Sequence, residues 1–224
     1  MESIAANIKR IIGELPPGVT MVAVTKTRTP DEVFEAYNAG LRIFGENRVQ
    51  ELAAKKLLLP ADVSWHLIGH LQSNKVRQAV AAASMIESVD TVRLLRLIDA
   101  EALSQERQTD CLLQVHIASE ETKSGFSVSE AIETDWGAIS ASLKAARICG
   151  VMGMATFTDD NARVRSEFRT LADTFRQIRE THFRGVSHFR EISMGMSGDW
   201  RLAVDEGSTM IRVGTLIFGE RLKK

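Results

Sequence analysis

Apolar residues recur along the 224-residue chain in short runs, and stretches with helical spacing separate them. Eight runs have the length of a strand: TMVAVTK (20–26), LRIFGEN (41–47), SWHLIGH (64–70), MIESVD (85–90), DCLLQVHI (110–117), ARICGVMGM (146–154), HFREISMG (188–195) and TMIRVGTLIFG (209–219). An amphipathic segment, MESIAANIKRIIGEL, precedes the first run and reads as an extra N-terminal helix. DEVFEAYNAG follows the first run, with Val33, Phe34 and Tyr37 on one helical face and Asn38-Ala39-Gly40 as a stop signal. RVQELAAKKLLL, NKVRQAVAAA, TVRLLRLIDAEALSQ, VSEAIETDWGAISASL, ARVRSEFRTLADTFRQIRE and DWRLAVDEG fill the later gaps. Strands alternating with helices pair in parallel through right-handed crossovers. Eight such units favour closure into a barrel over an open doubly wound sheet, and the chain carries neither GxGxxG nor GxxxxGK[ST]. The expectation is an α/β fold: one (β/α)₈ TIM barrel domain over 1–224, with no linker or second domain. All four prolines fall in the expected connections.

A barrel of this kind carries its chemistry at the C-terminal ends of its strands. That rule selects Lys26, Glu46, Asn47, His70, Asp90, Met154, Ser193 and Gly214-Thr215. Lys26 ends an apolar strand, where an ammonium is costly to bury. Partly desolvated, such a lysine has a depressed pKa and attacks carbonyls; alternatively it snorkels to solvent. Arg212 lies inside the last apolar run and needs a partner, because an unpaired buried charge is expensive. Gly214-Thr215 just beyond it, and Ser193, Gly195 and Ser197 in ISMGMSGDW, match the phosphate site that barrels build after strands seven and eight. An ordinary Gly/Ser turn with a helix cap is the other reading of the latter segment. Glu46 and Asn47 either bond a ligand or Lys26, or cap the next helix. His66 and His70 fall on one face of the expected third strand, but no third ligand at a suitable spacing supports a metal.

Composition narrows the partners. With 44% hydrophobic and 25% charged residues the chain is of ordinary globular make-up, and at this length it needs no disulfide or metal staple. The 28 basic and 29 acidic side chains leave a net charge of −1, giving no electrostatic case for nucleic acid or an anionic membrane. Cys111 and Cys149 sit in apolar strand-like segments and read as buried, reduced thiols. No signal peptide is recognisable and no apolar run approaches about 18 residues, so a cytoplasmic protein is expected.

The blocks AVTKTRTPDEVFEAYNAGLRIFGENRVQE, WHLIGHLQSNKVR, IESVD and ISMGMSGDWRLAVDEGSTMIRVGTLIFGER closely resemble the pyridoxal phosphate homeostasis protein family. The likeness runs nearly end to end and is weaker over 91–150. It implies a type III pyridoxal phosphate barrel, related to the N-terminal domain of alanine racemase, with pyridoxal 5′-phosphate as cofactor. It implies further that Lys26 carries that cofactor as a Schiff base and that Arg212 faces the pyridine nitrogen. Ser193, Met194, Gly214 and Thr215 would lie around the phosphate or ring, with Asn47 near the ring. An arginine cannot lend the ring nitrogen a proton, so the cofactor would be a poor electron sink. The chain departs from the family at VTKTRT, where serine more usually precedes the lysine and a second lysine follows, and in VHIASEETKSGF.

The implied role is binding of pyridoxal 5′-phosphate in vitamin B6 and amino/keto-acid homeostasis, with apo pyridoxal phosphate enzymes as partners. The alternatives are a weak pyridoxal phosphate-dependent racemase or decarboxylase, or a cofactor-free Schiff-base aldolase. A racemase of the related fold uses a second base, a tyrosine from a partner's β-rich domain. Here the chain reaches Lys224 directly after the eighth strand, and Tyr37, its one tyrosine, is expected in the apolar face of a helix. The reading therefore favours a monomeric carrier over an enzyme.

Overall fold

A computed structural model describes residues 3–119 and 124–220. Eight parallel strands close into a barrel in simple sequence order. They are β1 (Thr20–Val24), β2 (Ile43–Glu46), β3 (Ser64–Leu67), β4 (Met85–Val89), β5 (Thr109–Gln114), β6 (Ala146–Met152), β7 (Glu191–Ser193) and β8 (Met210–Val213). Closure joins β1 to β8, with Val22 opposite Arg212. Ten α-helices accompany the strands among the described residues, besides a short 3-10 turn at Ser73–Lys75: α1 (Ile4–Glu14), α2 (Pro30–Asn38), α3 (Val49–Lys56), α4 (Val76–Ala82), α5 (Val92–Ser104), α6 (Val128–Glu133), α7 (Trp136–Ser142), α8 (Asn161–His182), α9 (Trp200–Asp205) and α10 (Thr215–Phe218). None of these helices is long and apolar enough to cross a membrane. The (β/α)₈ barrel and its extra N-terminal helix are thus as the alternation of runs predicts.

Local chemistry explains the helix boundaries. Thr29 and Glu32 form a reciprocal capping box with Pro30 in the first turn of α2, and Ser127 and Glu130 do the same for α6. The long α8 buries Val164, Phe168, Leu171, Phe175 and Ile178, a spacing of four and three that lays one stripe against the barrel. Between β5 and β6 the register slips beside Gly150. This glycine sits at φ 154°, and a Cβ there would fall 1.8 Å from the Glu191 carbonyl oxygen, so no other residue fits the bulge without moving β7.

Strand alternation divides the interior. Ala23, Phe44, Trp65, Ile86, Cys111, Ile148 and Ile211 face outward into the main core beneath the helices. Val22, Met85, Leu112, Cys149, Met152 and Met210 form a separate apolar cluster inside the barrel.

The structure corrects four expectations. The strands stop short of the predicted runs, β1 at Val24 rather than Lys26 and β3 at Leu67 rather than His70. The last run is not one strand, because Gly214 ends it and TLIF turns into the helix α10, whose Ile217 and Phe218 pack into the outer core. VSEAIETDWGAISASL is two helices, broken where Asp135 caps α7. Finally, Phe34 is 45% exposed, whereas Tyr37 does pack against the main core, half-buried, with its hydroxyl bonded to Asp62 and its ring under the Arg42 guanidinium. Val33 and Ala36 are the buried positions of α2.

Candidate functional site

A cavity of about 590 Å³ opens at the C-terminal mouth of the barrel. Val24 and Lys26 line it from the β1 side, Asn47, Ile68, Gly69 and His70 from the loops after β2 and β3. Met154 and Phe157 stand after β6, and the loops after β7 and β8 complete the wall. Its size suits a small-molecule ligand.

Lys26 reaches the cavity from the turn that directly follows β1, two residues beyond Val24, which lines the same wall. Asn47 gains its place by a close approach of two loops. A Cβ on Gly69 would fall 2.3 Å from the Asn47 carbonyl oxygen, so only glycine lets the β3 loop pass there.

Arg212 forms the floor, 4% exposed. Its Nη1 donates to Ser193 Oγ at 2.6 Å and its Nη2 to the Gly153 carbonyl at 2.9 Å. Behind them lies Glu87, fully buried, whose Oε2 accepts from Ser193 Oγ at 2.6 Å and stands 3.8 Å from Arg212 Nη1. Its Oε1 lies 2.8 Å from His66 Nδ1. Burial alone pushes the Glu87 carboxyl up, but the His66 hydrogen bond and charge, Arg212 and the Ser193 hydroxyl outweigh it and hold the group below its usual range. An ionised carboxylate only accepts, so His66 Nδ1 carries the proton of that bond. Burial lowers the Arg212 pKa while Glu87 and Asp199 oppose it, and the guanidinium stays cationic.

The loops after β7 and β8 are tied together by Gly214 N–H donating to Ser197 Oγ at 3.2 Å. Gly195, at φ 92°, lets the first loop turn, since a Cβ would meet that of Ala203 at 2.5 Å. Asp199 Oδ1 accepts from the Met196 N–H, and burial raises its pKa against the pull of that bond and of Arg212. Ser197, Gly198, Gly214 and Thr215 thus face the cavity as small, backbone-rich groups with Arg212 behind them, a setting suited to an anion.

The sequence model described as "Alanine racemase, N-terminal domain" matches residues 1–222. A pyridoxal phosphate homeostasis protein of Synechocystis sp. is 38% identical over 217 residues, covering 95% of this chain and 96% of that protein. The Escherichia coli protein of the same name is 33% identical over 213 residues, covering 93% and 88%. The chain belongs to the pyridoxal phosphate homeostasis protein family. Among solved structures it resembles PipY of Synechococcus elongatus with PLP bound, at 36% identity and a TM-score of 0.88, over 97% of this chain and 100% of that one. An alanine racemase of Clostridium difficile has a TM-score of 0.75 at 12% identity, and this chain covers 57% of it; that likeness is one of fold.

In this family member the structure brings Lys26, Asn47, Arg212, Gly214 and Thr215 to one cavity. It does not bring Ser193 and Met194 to the wall. Ser193 points into the barrel between Arg212 and Glu87, and Met194, its neighbour on the opposite face, is buried in the outer core with its N–H on the Met210 carbonyl. Glu46 neither reaches the cavity nor caps α3. It is buried under that helix, bonded to Lys55 and Thr25, and Arg48 holds the cap position without a side-chain bond. His66 and His70 part company as well: His66 is inside the barrel, whereas His70 is exposed at the mouth, 3.1 Å from Asp90. Glu87 escaped notice in the sequence, although an acid inside the apolar run MIESVD was the counterpart of the arginine inside MIRVG. The divergent loop after β5 lies partly at 120–123, outside the described residues.

Proposed function

We propose that this chain is a carrier of pyridoxal 5′-phosphate that serves the cell's homeostasis of that cofactor and of amino and keto acids. The observation that carries the reading is a half-buried lysine and a buried, carboxylate-backed arginine facing one cavity, with Ser-Gly and Gly-Thr loops beside them. When bound, the cofactor supplies a reactive aldehyde and a conjugated ring. Lys26 Nζ would hold the aldehyde carbon as a Schiff base, which is reversible and so allows both storage and release. Ser197, Gly198, Gly214 and Thr215 would bind the phosphate, Asn47 would border the ring, and Arg212 would present N–H groups to the ring nitrogen. Ser193 acts on the ligand through Arg212, and Met194 through the packing of its strand. Arg212 cannot protonate the ring nitrogen, which favours holding over electron-sink chemistry.

The name of the Synechocystis relative and the PLP-bound PipY structure support the same cofactor. A racemase would need a base opposite Lys26. Tyr37 does not serve, because it lies in the last turn of α2 against Asp62, which precedes β3 at the other end of the barrel. The proposal includes a cytoplasmic monomer that hands its cofactor to apo enzymes.

The test is reconstitution of the full chain with pyridoxal 5′-phosphate, borohydride reduction and mapping of the modified peptide. Label on Lys26, lost with Lys26→Ala, is the expected result; an unlabelled protein would sink the proposal. Exchange of amino-acid α-protons well above the rate with free cofactor would replace the carrier by a racemase.

A further inference from the structure

Lys26 sits at a corner of a tight turn. The Arg28 N–H donates to the Thr25 carbonyl at 2.9 Å, so residues 25–28 form a β-turn with Lys26 and Thr27 at its centre. Thr27 has φ 66°. Positive φ at the third position alone is the pattern of a type II turn, whose third residue is normally glycine or asparagine. A β-branched side chain is poorly tolerated in that conformation, which persists only when the surroundings impose it.

Helix α3 contacts the turn at both of its central peptide groups. From its first turn, Glu51 Oε2 accepts from the Thr27 N–H at 3.3 Å. From its last turn, the buried Lys55 Nζ donates to the Thr25 carbonyl at 2.7 Å. Lys55 also donates to Glu46 Oε1, which takes the Thr25 hydroxyl at 2.6 Å. The second oxygen, Glu46 Oε2, is buried without a hydrogen-bond partner, so the pair's bonding is directed at the turn through Oε1 alone. The peptide units flanking Lys26 are therefore both anchored to one rigid helix.

We infer that Glu51 and Lys55 are positioning residues for Lys26: α3 holds Thr27 in the left-handed conformation and thereby sets where the lysine enters the cavity. The role in ligand binding rests on the proposed function above. Lys55 and Glu46 are buried and also contribute to packing, whereas Glu51 is a partly exposed side chain that also has Arg48 at 3.7 Å. The Glu51–Thr27 contact is therefore the one that separates positioning from stability. Threonine makes the turn depend on that carboxylate; glycine would adopt the same φ unaided.

The experiment titrates the full chain and its variants with pyridoxal 5′-phosphate, alongside thermal unfolding and hydrogen exchange of the Thr27 amide in the unliganded protein. Glu51→Ala should weaken binding about tenfold, the loss of one charge-assisted bond. It should speed exchange at Thr27 and leave the unfolding temperature nearly unchanged. Glu51→Gln, which keeps an acceptor, should retain most of the affinity. Thr27→Gly introduced into Glu51→Ala should bring binding back to within about threefold of the wild type. Wild-type affinity in Glu51→Ala, or a loss that Thr27→Gly does not repair, would overturn the inference; the latter would assign Glu51 to the electrostatics of the mouth. A wild type that does not take the cofactor on Lys26 refutes the proposed function, and unchanged Thr27 exchange in Glu51→Ala separately refutes the turn clamp.

Discussion

Two groups of side chains fill the barrel, and they are built on opposite terms. Val22, Met85, Leu112, Cys149, Met152 and Met210 form an apolar cluster whose attraction is non-directional, so shape and volume decide what fits. His66, Glu87, Ser193 and Arg212 form a chain of hydrogen bonds in which each member is specified by the next. Removing a methylene from the first group leaves a hole; removing a charge from the second leaves its partner stranded in a medium that cannot solvate it. The second group also borders the cavity through Arg212. The apolar group only fills the barrel, whereas the polar group ties its floor to the cavity.

Arg212→Met should have the largest effect. It strands Glu87 and is expected to cost about 3–5 kcal/mol in denaturant unfolding. The double variant with Glu87→Leu should recover much of that while remaining unable to bind pyridoxal 5′-phosphate. A double variant no more stable than the single one would erase the distinction between the two groups. Leu112→Ala should cost about 2–5 kcal/mol, the range for a buried leucine cavity, and leave cofactor affinity unchanged. A loss of affinity as large as that in Arg212→Met would show that the apolar group is functional too.

The pH dependence gives the smallest and most gradual effect. Glu87 is held below its unfolded value, which is about 4.3 for a free glutamate. Its contribution to stability is complete above that value and is lost as pH falls through the depressed folded-state pKa. The stability difference between wild type and Glu87→Gln should thus be constant at neutral pH and shrink in acid. A difference that grows on acidification would mean that the carboxyl is protonated in the folded chain.

Much of this architecture can be read from the residues. The alternation of apolar runs and helical stretches already counts eight strands, and the barrel rule then picks out Lys26 without any coordinates. Arg212 was visible because a cation inside an apolar run is anomalous. Strand ends were less legible. In TMVAVTK the strand ends at Val24 and the chain turns over 25–28, yet Lys26 still lines the cavity because that turn sits at the barrel mouth, and turn geometry leaves no period-two mark on the sequence. TLIF reads as a strand by composition; tertiary packing of Ile217 and Phe218 makes it a helical turn. Ser193 and Met194 differ by one residue and hence by one face, and neither periodicity nor resemblance shows how deep in the barrel that strand sits.

By itself the sequence determined the fold class and the presence of a lysine and an arginine at the cavity of the barrel mouth, because periodicity and misplaced charges are local properties of a chain. Only the tertiary structure decided which partners those charges have. The pairing of Glu87 with Arg212 spans 125 residues, and the anchoring of the Lys26 turn by Glu51 and Lys55 crosses from one βα unit to the next. Contacts of that kind arise when the barrel closes and its helices seat. Their distances, unlike their residue types, leave no periodic mark on the chain.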